Sequence, residues 1–128
     1  MNPPFKPSGY NAVSPYLVVA GAERMIDFLK TAFGAKELRR YDNDDGTIMH
    51  AEVMIDDSVI MMGDASAEYP ANKLLIHVYV ADVDAVFAKA LAAGATVDQQ
   101  PQQKPGDPDR RGSFKDFAGN VWSVATQQ

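Results

Sequence analysis

A chain of 128 residues, 46% hydrophobic and 23% charged, has room for one ordinary domain and the composition of a folded protein rather than a disordered one. Its net charge of -5 and pI near 4.8 argue against a nucleic-acid partner, whose phosphates are held by clustered Lys and Arg; the densest basic spots are two pairs, Arg39-Arg40 and Arg110-Arg111. The chain has no cysteine, which removes disulfides, thiolate metal sites and a cysteine nucleophile. No apolar run approaches the roughly 20 residues that cross a bilayer, so a membrane role is not expected.

Residues 1–13 read as an extended leader, because Pro3, Pro4 and Pro7 work against regular structure. With one lysine and no apolar segment it is not a signal peptide, and the expected location is the cytoplasm. "SPYLVVA" (14–20) follows as a strand rich in aromatic and β-branched residues. Met25, Ile26, Leu29 and Phe33 then recur at helical spacing, with Gly34 as the C-terminal stop. Residues 36–44 read as a second strand, Asn43 to Gly46 as a turn, and 47–55 with 58–63 as a hairpin joined by Asp56-Asp57.

After a polar loop over 64–73 the pattern starts again. "LLIHVYVA" (74–81) is a strand, and "DVDAVFAKALAAGA" a helix with Asp82 as N-cap, Val83, Val86, Phe87 and Leu91 inward, and Gly94 at its end. "TVDQQ" begins another strand, the Gln/Pro/Asp-rich stretch 99–109 is expected to be a loop, and strands follow at 111–116 and 120–126 around "DFAGN". Laid over each other, "YLVVAGAERMIDFLKTAFGAKE" and "HVYVADVDAVFAKALAAGATV" share strand, turn, amphipathic helix and Gly-Ala stop. The expected fold is therefore α+β: two tandem β-α-β-β-β modules, about 14–63 and 74–126, forming one domain over 14–128, with the helices covering one face and the other face free to be a concave pocket.

A two-residue turn at Asp56-Asp57 sets Ile55 opposite Ser58, Met54 opposite Val59, Glu52 opposite Met61 and His50 opposite Gly63. Ala51, Val53, Ile55, Ile60 and Met62 then form a uniformly apolar face for the helix, and His50, Glu52, Met54, Val59 and Met61 a mixed face. On strand 74–81, Ile76, Val78 and Val80 are apolar while Leu75, His77 and Tyr79 lie opposite, so both histidines fall on the non-helical side. Mostly apolar lining with a few polar groups is the make-up of a small-molecule cavity.

With these segments in hand, the chain resembles the vicinal oxygen chelate superfamily, which includes glyoxalase I, extradiol dioxygenases, and fosfomycin- and bleomycin-resistance proteins, and more narrowly its PhnB-like branch. "SPYLVVAGAERMIDFLKTAFGAKEL", "MHAEVMIDDSVIMMGD", "HVYVADVDAVFAKALAAGATV" and "DFAGNVWSVAT" carry the likeness in family order. The resemblance implies paired β-α-β-β-β modules forming a curved mixed sheet around a cavity, with the helices on the outer face, and usually a homodimer. It also implies that the family's metal-ligand positions fall on Ser14, Met61, Leu75 and Ser123, none a usual ligand for octahedral oxygen and nitrogen sites. No cofactor is therefore expected, and a divalent metal only through a displaced set of His50, Glu52 and His77.

The candidate ligand cavity comprises Ser14, Tyr16, His50, Glu52, Met54, Met61, Leu75, His77, Tyr79 and Ser123. His50 and Glu52, one strand repeat apart, read first as a hydrogen-bonded pair anchoring a ligand; as catalysts, Glu52 would be a general base and His50 its proton-carrying partner. Tyr16 and Tyr79 serve either to stack on a planar ligand or to pack at a dimer seam. Trp122 is expected in the core, with Ser123 toward the cavity. Arg110, Arg111 and Lys115 read as solvated strand ends before an anion site. Two functions stay open: a binding or sequestration protein for a small organic molecule, and a metal-dependent or metal-independent lyase, isomerase or dioxygenase-type enzyme acting through Glu52 and His50.

Overall fold

The computed structural model describes residues 3–128; the first two residues of the expected leader lie outside the described residues. The chain divides into two compact units, residues 1–30 with 34–71, and 72–128 with Thr31–Phe33. In the first, β1 (Tyr16–Val19) leads into α1 (Ala22–Phe33) and then β2 (Lys36–Asp42), β3 (Ile48–Ile55) and β4 (Ser58–Asp64), hydrogen-bonded in the order β1-β4-β3-β2. In the second, β5 (Leu75–Tyr79), α2 (Val83–Ala92), β6 (Thr96–Gln103), β7 (Asp109–Lys115) and β8 (Val121–Gln127) repeat the order as β5-β8-β7-β6. Each sheet pairs its first strand parallel to its fourth and is antiparallel otherwise. The fold is the α+β repeat of β-α-β-β-β modules that the sequence pattern predicts.

The expected hairpin register holds: Ile55, Met54 and Glu52 pair with Ser58, Val59 and Met61. Asp56 enters the left-handed region at φ 51° to close the two-residue turn, which an aspartate tolerates better than most residues. Ala51, Val53, Ile55, Ile60 and Met62 are buried together with Leu17, Val19, Met25, Ile26 and Leu29, the inner faces of sheet and helix. In the second unit, Phe87 meets Phe114 edge-on at 5.4 Å, Phe33 lies 5.2 Å from Trp122, and Trp122 is fully buried as expected. The indole N–H donates to Asp116 at 2.8 Å, and the same carboxylate gathers N–H groups from Ala118 and Asn120, fixing the "DFAGN" turn.

The two helix starts are held by the last residues of the fourth strands. Gly21 offers α1 no capping side chain, so Asp64 on β4 accepts from the N–H groups of Gly21 and Ala22, at 3.1 and 2.9 Å, and from Ile48 on β3 at 2.7 Å. At α2, Asp82 caps Ala85 as expected, and the hydroxyl of Thr126 on β8 accepts from Val83 at 2.9 Å. Both devices satisfy donors that a helix cannot satisfy for itself.

Three expectations need correction. The 99–109 loop shrinks to 104–108, because β6 runs on through Pro101 to Gln103; as the outermost strand, with irregular register on either side of Gln99, it tolerates a residue without an N–H. Leu91 is 37% exposed, and Ala90 takes the inward place on α2. Ser14 precedes β1 rather than opening it.

Candidate functional site

The non-helical face of the first sheet carries the polar groups. His50 and Glu52 alternate on β3 and point the same way, and the Nε2 of His50 meets Oε2 of Glu52 at 2.8 Å. Glu52 is only 4% exposed. Its cover is the leader, whose Tyr10 donates its hydroxyl to Oε1 of the same carboxylate. On the far side of His50, the hydroxyl of Tyr16 on β1 lies 3.0 Å from Nδ1. A continuous hydrogen-bonded chain therefore runs Tyr10, Glu52, His50, Tyr16, with the rings of Tyr16 and Tyr41 at 5.6 and 6.4 Å from the imidazole.

Electrostatics sets the state of the carboxylate and of the two phenols. Burial pushes the Glu52 carboxyl up, but hydrogen bonds from His50 and Tyr10 and the charge of Arg39 outweigh it and hold the group below its ordinary value. Glu52 is thus a carboxylate at neutral pH. Its Oε2 lies within hydrogen-bond reach of His50 Nε2, and Nδ1 of the same ring meets the Tyr16 hydroxyl. The two phenols respond in the opposite sense: the bond to Glu52 raises Tyr10, and burial followed by the charge of Glu52 raises Tyr16, so both stay protonated donors.

Two cavities open on this face. The first, about 550 Å³, is lined by Tyr16, Val18, Met49, His50, Gly63, Asp64 and Tyr69. The second, about 330 Å³, lies under the leader between Phe5, Lys6, Pro7, Tyr10, Asn11 and Ala12, with Ser14 and Met61 in its wall. Of the cavity residues expected from sequence, Tyr16 and His50 line the first and Ser14 and Met61 the second, while Glu52 is buried behind the leader and Met54 half-buried on β3. Leu75, His77, Tyr79 and Ser123 belong to the second unit. There His77 and Ser123 are paired neighbours on β5 and β8, Leu75 is exposed, and Tyr79 donates to Asp109 at 2.7 Å with its ring against His77.

Sequence reading overlooked Tyr10, Val18, Met49, Gly63, Asp64 and Tyr69. Met49 escapes because a register shift interrupts β3: Tyr41 pairs with His50 and Asp42 with Ile48, leaving Met49 as the extra residue of a bulge. The bulge reverses the alternation, so Ile48 turns into the core and Met49 lines the cavity. Gly63 belongs there because a Cβ would sit 2.7 Å from the backbone oxygen of Met49 and 3.4 Å from the Tyr16 hydroxyl. Tyr10 carried no signal: nothing in "PSGYNA" shows that it reaches a carboxylate 42 positions away.

Arg110 and Arg111 on β7 are both paired with carboxylates. Arg110 forms a two-pronged pair with Asp84, and Arg111 binds Asp107 at 2.9 Å and Asp109 at 3.0 Å. Their charge is met within the unit, so they do not form the anion site weighed from sequence.

Over residues 10–124 the sequence matches the description Glyoxalase/Bleomycin resistance protein/Dioxygenase superfamily. The chain belongs to that superfamily. It is 37% identical over 124 residues to an uncharacterised protein of Mycobacterium bovis, covering 88% of this chain and 81% of the relative. Among solved structures it is similar to TioX from a Micromonospora species, with TM-score 0.72 and 28% identity over 92% of this chain and 97% of that one. It is also similar in fold to TnmS3, an antibiotic binding protein from a Streptomyces species, with TM-score 0.69 and 23% identity over 93% and 100% of the two chains.

The metal site that the superfamily resemblance implies does not fit the side chains present. Ser14 and Met61 share the wall of the second cavity, and Leu75 and Ser123 lie in the second unit, so the four positions offer two hydroxyls, a soft thioether and a hydrocarbon. His50 and Glu52 have both ring nitrogens and both carboxylate oxygens engaged. Among the described residues no group of three or more His, Asp or Glu is arranged to hold a metal ion.

Proposed function

We propose that this superfamily member binds a small organic molecule in the first cavity, as a sequestering protein would, and does so without the superfamily's metal. The observation that carries the reading is the chain Tyr10–Glu52–His50–Tyr16. Its inner members hold one another in a fixed arrangement, which makes the imidazole and phenol an oriented polar edge rather than open ligands for a metal. Around that edge stand Tyr16, Tyr69, Val18 and Met49, apolar and aromatic surface suited to a planar molecule. About 550 Å³ falls within the range of small-molecule sites. The fold shared with an antibiotic binding protein supports the same reading. We take the working form to be a cytoplasmic homodimer, which sedimentation and cell fractionation test.

The test is a titration of planar aromatic compounds followed by calorimetry and by NMR shifts at His50 and Tyr16. Saturable binding of at least one, unchanged by EDTA and without turnover, is the expected result. Binding that needs an added divalent ion contradicts it.

A second reading rests on one feature, the buried carboxylate that orients His50 beside the cavity. This is the arrangement of a general base and its partner, and it suits a metal-independent proton transfer at a bound substrate. It requires turnover that disappears in Glu52→Gln while the fold is kept; turnover that survives the substitution removes it.

A further inference from the structure

The two oxygens of Glu52 have unlike partners. Oε2 is held by His50 from the same strand, and that neighbour has nowhere else to go. Oε1 is held by Tyr10 from a leader with no regular secondary structure. Near Tyr10 the leader meets the rest of its unit at Arg39 and Asp57. The guanidinium of Arg39 sits 5.5 Å from the Tyr10 ring, and Asn11 Nδ2 donates to the Asp57 carbonyl at 3.3 Å. The bond from the Tyr10 N–H to the Pro7 carbonyl lies inside the leader itself. Between leader and sheet the second cavity remains, with Ser14 and Met61 in its wall.

A buried carboxylate must have its hydrogen bonds filled, since an unmet acceptor loses its water without replacement. Glu52 therefore needs a donor at Oε1 at all times, and a phenol is the donor this site is shaped around. We infer that Glu52 Oε1 is the acceptor of a phenol-binding subsite, which the free chain fills with its own Tyr10 and which a ligand's phenolic hydroxyl takes when the leader withdraws. The exchange trades one phenol–carboxylate bond for another and one aromatic ring for another, so the bound ligand need only offset the leader's remaining contacts, those at Arg39 and Asp57 among them. This subsite is separate from the first cavity and does not depend on what binds there. The two are nevertheless joined through His50, which Glu52 orients.

The probe is p-cresol, the tyrosine side chain as a free molecule. In Tyr10→Ala, p-cresol should bind saturably, shift the amides of Glu52 and Met61, and bind about tenfold or more tighter than to the unaltered protein. Toluene, which keeps the ring and lacks the hydroxyl, should bind Tyr10→Ala about tenfold more weakly than p-cresol. Adding Glu52→Gln, whose neutral amide oxygen accepts more weakly, should reduce that preference severalfold. A Tyr10→Ala protein that melts cooperatively yet binds p-cresol no better than the unaltered chain, or binds toluene equally, overturns the proposal. If Tyr10→Ala does not fold, Tyr10→Phe keeps the ring and removes only the hydroxyl. Amide exchange over residues 8–12 should then quicken about tenfold, and unchanged exchange overturns the leader's role.

Discussion

The two units use one backbone plan for different chemistry. Tyr16 beside Met61 in the first corresponds to His77 beside Ser123 in the second, and Glu52 opposite Met61 corresponds to Ser113 opposite Ser123. Two residues earlier on the same strands stand His50 and Arg111. In the first unit these places hold a buried carboxylate bonded to a histidine and a tyrosine hydroxyl, with cavities beside them. In the second, Arg111 joins Asp107 and Asp109, Tyr79 adds a hydrogen bond to Asp109, and Ser113 donates to Asp98 at 2.7 Å. Repetition thus supplies the scaffold twice with different side chains at a few equivalent positions, and the proposed ligand chemistry lies on the first unit's face.

The largest expected effect is structural and falls in the second unit. Asp116, 5% exposed, accepts from two backbone N–H groups, the Asn120 amide and the Trp122 indole. Asp116→Ala leaves these donors without their acceptor and should cost about 3 kcal/mol in urea denaturation. A loss below about 1 kcal/mol would show that water replaces the carboxylate at little cost.

Next come the equivalent helix-start residues, which compare the units directly. Asp64→Ala removes the acceptor of three backbone donors and should cost about 2 kcal/mol, whereas Thr126→Ala, with Asp82 still capping α2, should cost about 1 kcal/mol. Equal losses would break the proposed difference between the two starts. Burial raises the Asp64 carboxyl, but the N–H groups of Ala22, Ile48 and Gly21 prevail and hold it below its ordinary value. Because the folded value is the lower one, the stabilising contribution is complete above about pH 4–5, beyond the unfolded aspartate range. It is then lost as pH falls through the folded value. The stability gap between the unaltered chain and Asp64→Asn should therefore be level near neutrality and close on acidification; a gap that widens in acid contradicts the assignment.

Glu52→Gln should cost about 1 kcal/mol in stability, since a neutral amide keeps the shape and weakens two charge-assisted bonds. Its larger consequence should be functional: loss of the fixed imidazole edge and weaker binding in the first cavity, read by calorimetry. Unaltered binding would remove Glu52 from the site. The smallest effect belongs to the exposed pair Arg110–Asp84, where Arg110→Ala should change stability by about 0.5 kcal/mol or less. A loss well above that would make the β7–α2 pair a structural element.

Much of the scaffold was legible because burial imposes period. Ala51, Val53 and Ile55 alternate without a break, which brings His50 and Glu52 to one side, and the two-residue turn at Asp56-Asp57 sets the hairpin register. The repeat disclosed the second module, and Asp82 its helix start. The parts that escaped depend on local departures or distant partners. A single extra residue at Met49 reverses the faces at the end of β3, and Pro101 sits in a strand because that strand is an edge. Tyr10 reaches Glu52 across the chain with no periodic pattern to announce it. Leu91 and Ala90 show the same limit on a helix, where a one-residue difference in facing exchanges a large apolar side chain for a small one.

The most direct measurement is metal content of tag-free protein equilibrated with Mn²⁺, Co²⁺, Ni²⁺ and Zn²⁺ and desalted, with Glu52→Gln alongside. If His50 and Glu52 are engaged with Tyr16 and Tyr10, as their hydrogen bonds imply, both proteins should retain far less than stoichiometric metal. Stoichiometric metal in the unaltered chain, released by Glu52→Gln, would contradict the proposal that this face binds its ligand through an organic polar edge.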